Sequence, residues 1–269
     1  MQFMLKLKDL YIVESMEQLM DIPEGKVLIN TINAHSYNTA QKDEAFAEAL
    51  RTIENEKLKI ENETECVKYL IPDGASIVKA CKYLRAKSQP KERIAGWDLF
   101  EFEMSHLNSK MKEFKNGKMK KGRVMFFGSS EKVLALIRER AAVDFPHLEV
   151  ITYSPPYKLE FSDEDNFEMI RAINEANPDL LWIGMTAPKQ EKWTFSHWDE
   201  LKIHCHCGTI GAVFDFYAGT VKRAPLWWQV HSLEWLYRLL MEPRRMWRRY
   251  IIGNTKFIYH IYKEKKGGR

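Results

Sequence analysis

From residue 123 onward the chain alternates between two hydrophobic periods, and that alternation admits very few folds. Residues 123–130, RVMFFGSS, are a continuous apolar run that reaches Gly128, as expected of a strand buried on both faces. The next segment, EKVLALIRERAAVDFP, has helical spacing and stops at Pro146. LEVITYSPPY predicts a second strand and loop. DEDNFEMIRAINEANPD predicts a helix capped by Ser162 or Asp163 and ended by Asn177-Pro178. LLWIGMTAPKQ predicts a third strand, Lys192 to Leu201 a helix, and IHCHCGTIG a fourth strand running into glycines. Such a pattern implies an α/β fold: a Rossmann-like parallel sheet core with helices on both faces. In sheets of this kind ligands sit at the carboxyl ends of the strands.

The N-terminal part carries the same signals less regularly. KVLINTIN, residues 26–33, predicts a strand that delivers Thr31, Asn33 and His35 to its C-terminal end, with a helix near Asp43 to Leu50. KYLIPDG is a short apolar stretch that breaks at Pro72-Asp73-Gly74, strong turn chemistry, before a helical pattern from Ala75 to Leu84. Residues 55–65 predict an exposed polar segment, 86–95 a flexible basic loop near the cleft, 98–113 a helix, and KNGKMKKG a turn. The expected organisation is an α/β catalytic domain over 1–225, with two lobes at about 1–120 and 121–225. A C-terminal helical appendage follows at 226–269.

Charge sets that appendage apart. From Val221 to the end there are 12 Lys and Arg against 3 acids, whereas the remainder holds 29 bases against 34 acids. A mildly acidic body thus carries a strongly basic tail, rich in Trp, Tyr and Arg. Such a tail meets polyanions: nucleic acid, anionic lipid or substrate phosphates. The helical spacing of SLEWLYRLL and RRMWRRYIIGNTKFIYHIY suits an aromatic helix at a lipid interface. No uncharged run approaches the roughly 20 apolar residues of a spanning helix. Four cysteines in 269 residues do not make a disulfide framework, so a reducing cytosol is expected. The charged residues Lys6, Lys8, Asp9, Glu14 and Glu17 argue against a signal peptide.

Candidate chemistry falls into five clusters. Thr31, Asn33, His35 and Asp73 all follow predicted strands; a carboxylate there serves as a general base, and the plainer reading is a turn with a capping Asp. Gly128 to Glu131 joins a strand to a helix N-terminus, a natural phosphate site or simply a tight turn. Gly184 to Trp193 offers Lys189 for a phosphate and Gln190 for a sugar. Gly208 to Pro225 is glycine-punctuated and holds Asp215 among apolar neighbours, where a buried carboxylate needs a partner. The tail supplies Arg238, Arg244, Arg245, Arg248 and Arg249, suited to clamping a diphosphate. His204-Cys205-His206-Cys207 is not read as a metal site, because alternate strand residues face opposite ways. A nucleic-acid-binding protein is the non-enzyme rival. A nicotinamide-dependent oxidoreductase is a further rival, weakened by the absence of a dinucleotide fingerprint.

Together these segments resemble the WecG/TagA/CpsF bacterial glycosyltransferases (glycosyltransferase family 26). The resemblance rests on INTINAHSYNTA, IPDGASIVKA, FFGSSEKVL, YSPPYK, PDLLWIGMTAPKQEKW, GTIGAVFDFYAGTVKRAP and LEWLYRLLMEPRRMWRRYIIGN, spanning about 26–258. It implies an inverting transfer from a UDP-sugar donor to a polyprenyl-diphosphate-linked sugar acceptor in cell-surface polysaccharide synthesis. N-acetylmannosamine, its uronic acid and glucose are the expected donor sugars, with no cofactor and no required metal. The resemblance makes Asp73 the general base. It assigns donor binding to Thr31, Asn33, Gln190 and Asp215, and diphosphate neutralisation to Arg238, Arg245 and Arg248. It implies a peripheral enzyme on an anionic membrane surface at the inner face of the cell membrane. Nucleic acid is not an expected partner, and homo-oligomerisation is left open.

Overall fold

The structure, a computed structural model, describes residues 4–52, 66–113, 121–231 and 233–267, apart from the side chains of Glu113 and Arg245. Six strands form one all-parallel sheet in the order β2-β1-β6-β5-β3-β4. They are β1 Val27–Ile32, β2 Val67–Pro72, β3 Gly122–Gly128, β4 Leu148–Tyr153, β5 Leu180–Gly184 and β6 His206–Thr209. The α/β class read from the alternation is the observed one. The early strands β1 and β2 and the later β3 to β6 share a continuous ladder, because β1 pairs with β6.

The helices, in chain order, are α1 Met16–Met20, α2 Ala34–Ala40, α3 Glu44–Leu50, α4 Ala75–Leu84, α5 Gly96–Glu113, α6 Glu131–Asp144, α7 Asp163–Ala176, α8 Lys189–Ser196 and α9 Ala212–Tyr217. The tail contributes α10 Leu226–Val230, α11 Glu234–Met241, α12 Pro243–Trp247, a π-helical turn Arg248–Ile252, and α13 Gly253–Lys266. Local chemistry accounts for several boundaries. Ser162 caps α7 in a reciprocal capping box with Asp165, and Asn177 ends it in the left-handed region at φ 41°.

Both sheet faces are covered, which explains the unbroken apolar runs. Val27, Ile29, Val124, Phe126 and Trp182 pack with Leu99, Phe100, Leu134 and Phe214 of α5, α6 and α9. Met125, Phe127, Leu181 and Ile183 pack on the opposite face with Ile173 and Trp193 of α7 and α8. A third core joins Ile32 and Leu70 to α2, α3 and α4, and draws in Phe257 and Ile261 of α13.

Three details differ from the sequence reading. The stretch after β1 breaks into two helices, because Asp43 caps a second one. The helix expected at Lys192 to Leu201 starts earlier, at Lys189, and ends at Ser196, with a 3-10 turn Trp198–Glu200 following. The glycine-punctuated segment 208–225 contains a helix, α9, whose Val213, Phe214 and Tyr217 are buried in the core. Residues 86–95 form an irregular segment tied to the N-terminal segment and to β2: Lys87 N donates to Lys8 O, Ser88 Oγ accepts from Ile12 N, and Ile94 N donates to Pro72 O. The polar stretch 55–65 and most of the KNGKMKKG turn lie outside the described residues.

Candidate active site

The sheet topology creates two crevices. Following β3 and β5, α6 and α8 lie on opposite faces; following β1 and β6, α2 and α9 do so as well. Such changes of face at the carboxyl ends of neighbouring strands are where ligands enter sheets of this kind.

The β3–β5 crevice is tightly closed at its base. Gly128 and Gly184 are register partners. A Cβ on Gly128, whose φ is +125°, would lie 2.4 Å from Gly184 O. Ser129 continues the left-handed turn at φ 59° and donates its N–H to Gly184 O at 2.9 Å. Gly128 therefore has a packing reason to be glycine, whatever it offers a ligand.

The β1–β6 crevice and the adjoining end of β2 hold the polar side chains. Asn33 caps α2, its Oδ1 accepting from His35 N and Ser36 N. Its Nδ2 donates to Asp73 Oδ2 at 3.4 Å. Asp73 is fixed from below by its own N–H, which donates to Ile32 O and Ile71 O. Burial pushes the Asp73 carboxyl up to about 6, with Arg93 and Arg238 pulling it down, Glu234 pushing it further up and the Asn33 hydrogen bond pulling it down. A carboxylate so tuned is ionised at neutral pH yet basic enough to take a hydroxyl proton.

Arg238 comes from α11 and reaches this corner. Its guanidinium lies 4.7 Å from the Phe216 ring centroid and pairs with Glu234 at 3.3 Å. Arg93 pairs with the same carboxylate from the other side, also at 3.3 Å. Thus Asn33, Asp73 and Arg238 are brought together. Thr31 is half-buried within β1, opposite Ile71. Arg248 is exposed, its guanidinium 5.4 Å from the Trp247 ring centroid, and Arg245 stands in α12.

Gln190 and Glu191 form a buried pair at the start of α8. Gln190 Nε2 donates to Glu191 Oε1 at 2.8 Å, while Gln190 Oε1 and Glu191 Oε2 are buried without a protein partner. Burial pushes the Glu191 carboxyl up to about 7. Gly211 makes room for this arrangement, since a Cβ there would come 2.9 Å from Gln190 Oε1 and 2.5 Å from Met185 O. Asp215 is half-buried in α9, where its Oδ1 accepts from Thr220 Oγ1 at 3.3 Å. Among the described residues no group of three or more His, Cys, Asp or Glu side chains could hold a metal. His206 is engaged by Glu103 and Pro23 O, at 2.7 and 3.0 Å.

Arg93 and Glu234 are not singled out by the sequence. Arg93 lies in the basic segment flagged as a loop, but nothing in the spacing marked it among its neighbours. Glu234 carried a signal: it stands four residues before Arg238, the spacing of a helical ion pair. Arg249 was noted only as one of the tail's arginines. Its Nε is buried without a partner, and its charge acts with burial to pull His35 below the usual imidazole range. Glu191 stands in the polar loop 184–193 beside Gln190, where the plainer reading of a helix start puts the Glu in solvent; the packing of α8 buries it instead.

A buried carboxyl with arginines acting on it, at the strand ends of a parallel sheet, is the kind of corner in which α/β enzymes place their ligands, and comparison with known proteins gives the class: this is a glycosyltransferase. Over residues 3–269 the chain matches the Glycosyl transferase WecG/TagA/CpsF family, to which it belongs. It is 31% identical over 198 residues to the N-acetylglucosaminyldiphosphoundecaprenol N-acetyl-beta-D-mannosaminyltransferase of Bacillus spizizenii, covering 74% of this chain and 69% of the relative. The Bacillus subtilis protein of the same description is 28% identical, over 74% and 70% of the two chains. A Staphylococcus aureus protein of that description is 27% identical over 204 residues, again 74% and 70%.

Proposed function

We propose that this glycosyltransferase moves an N-acetylmannosamine-type sugar from a UDP-sugar onto a polyprenyl-diphosphate-linked saccharide, with inversion at the anomeric carbon. The observation that carries the reading is Asp73, a carboxyl raised to about 6 by burial, hydrogen-bonded by Asn33 and acted on by the charges of Arg93 and Arg238. The relatives' names supply the acceptor class, an N-acetylglucosaminyl-diphosphoundecaprenol.

In this mechanism Asp73 accepts the proton of the acceptor hydroxyl as its oxygen attacks the donor's anomeric carbon. The bond from that carbon to the UDP oxygen breaks, and the departing diphosphate takes the electron pair. Arg238, with Arg245 and Arg248 from the same tail, neutralises that charge in place of a metal. Thr31, Asn33, Gln190 and Asp215 hold the sugar hydroxyls and acetamido group, and Gly128 lets the backbone approach the donor.

The tail also fits a bilayer surface. Leu226, Trp227, Val230, Leu240, Met241 and Ile251 are exposed apolar side chains, interspersed with the exposed Arg244 and Arg248. Among the described residues no helix is long and apolar enough to cross a membrane. Peripheral association with the inner face of the cell membrane brings the enzyme to its lipid-linked acceptor, and self-association would take place there.

The test is a donor screen: purified protein, a panel of UDP-sugars and a synthetic lipid-diphosphate-GlcNAc acceptor with vesicles, product read by mass spectrometry. Transfer from the N-acetylmannosamine donor supports the reading. Transfer from another UDP-sugar alone replaces the sugar, and no transfer from any donor by folded protein overturns the donor or acceptor assignment.

A further inference from the structure

Glu234 sits between two arginines that come from different parts of the chain. Its Oε2 lies 3.3 Å from Arg93 Nη1, on the segment ahead of α5, and its Oε1 lies 3.3 Å from Arg238 Nη2, on α11. The three side chains are 14%, 20% and 27% exposed for Glu234, Arg93 and Arg238, so each is shielded from bulk water. The Phe216 ring beneath Arg238 fixes the plane of its guanidinium. The charges of all three act on Asp73, which places the cluster beside the proposed base.

Two guanidinium groups converging on one oxyanion is a recognition geometry for carboxylate and phosphate alike. Here a side chain of the tail supplies the oxyanion. Arg223, 4.0 Å from Asp98, also lies close enough for its charge to act with Glu234 and Arg93, so the neighbourhood sets Arg93, Arg238 and Arg223 against Glu234, Asp73 and Asp98. Displacing Glu234 would free both arginines for an incoming anion, with the Glu234 carboxylate turning out to solvent.

We propose that Arg93 and Arg238 form a diphosphate seat, and that Glu234 occupies it as a stand-in anion until substrate displaces it. This rests on the transferase reading above and adds to it a substrate-binding residue from the body of the enzyme, Arg93, and a competing residue, Glu234. The recognised chemistry is a pair of linked phosphoryl groups, which both the donor nucleotide and the lipid-linked acceptor carry. No covalent step is involved: phosphate oxygens take over the N–H groups that Glu234 now accepts from.

The experiment is calorimetric titration of the full chain with inorganic pyrophosphate, UDP and geranyl diphosphate, without any sugar transfer. Glu234→Gln removes the competing charge and keeps the side chain's shape, so pyrophosphate should bind about two- to fivefold tighter. Arg93→Gln should weaken it about tenfold, with Arg93→Lys intermediate. Whichever of UDP or geranyl diphosphate loses affinity in Arg93→Gln identifies the substrate that uses the seat. Thermal melting of each variant checks its fold, and Arg93→Lys serves if Arg93→Gln is unfolded. Unchanged or weaker pyrophosphate binding in Glu234→Gln overturns the proposal, as does unchanged binding in folded Arg93→Gln and Arg93→Lys. A protein that transfers sugar yet gives those results keeps the transferase reading and loses the seat. A protein that titrates as expected but transfers nothing keeps the seat and loses the reading.

Discussion

Asn33 joins helix formation to the chemistry of Asp73 through one side chain: its Oδ1 caps α2, and its Nδ2 donates to Asp73 Oδ2 at 3.4 Å. The two roles separate by substitution. Asn33→Asp keeps an acceptor for the cap but sets a second negative charge against Asp73. The acid limb of kcat/KM should then rise above its expected position near pH 6. Asn33→Ala removes both roles and should cost about 1 kcal/mol of stability in addition to activity. A pH–rate profile and a urea titration on each variant check this; an unmoved acid limb in Asn33→Asp would show that the Asp73 contact does not matter.

Asp73→Asn should abolish transfer while stabilising the fold at high pH. The folded carboxyl titrates at about 6, above the value near 4 of an unfolded chain. The neutral form is thus favoured by folding. Its stabilisation is complete below about pH 4 and is lost as pH rises through about 6. Asparagine resembles the neutral acid at every pH. The variant should therefore be more stable than the parent by about 2 kcal/mol at pH 8, with the gap closing towards pH 4. Denaturant titrations at the two pH values read the difference, and near-normal turnover by the folded variant would remove the base assignment.

The last helix is held by a buried carboxylate. Glu264, 2% exposed, accepts from Leu7 N, Lys8 N and Tyr37 Oη, the last at 2.6 Å. Glu264→Ala leaves three donors unpaired, two of them buried, and should cost about 3 kcal/mol in chemical denaturation. A loss under about 1 kcal/mol would mean that solvent reaches those donors.

Leu226→Ser with Trp227→Ser tests the membrane face without disturbing the core, since both side chains are exposed, at 73% and 59%. Cosedimentation with anionic vesicles should weaken about tenfold or more, with thermal stability unchanged. Full vesicle binding by the double variant would point away from α10 as the docking element. Deleting everything after Leu226 is a poorer test, because it also removes Glu264.

The sheet was legible because its signal is local. Buried parallel strands are continuous apolar runs, and RVMFFG and LLWIG are found as strands flanked by helices. Asp73 and Asn33 were legible because turn and cap residues mark strand ends. What escaped depended on tertiary packing. Helix α9 hides behind Gly208, Gly211 and Gly219, which read as loop, and it forms because Phe214 fills the space over Gly184. Arg93 and Glu234 are 141 residues apart, and no sequence pattern pairs them. Strand order was not readable either, since β1 meets β6 only after the intervening chain has folded.

The tail has a further property that follows from α13. The tail leaves the body at the buried Ala224, touches it again where Glu234 meets Arg93, and rejoins it at Gly253, whose carbonyl accepts from Asn38 Nδ2 at 2.7 Å. It forms a closed excursion rather than a free end. A segment pinned at both ends has already given up most of the conformational freedom that settling on a flat surface would require, so docking should carry a small entropic penalty.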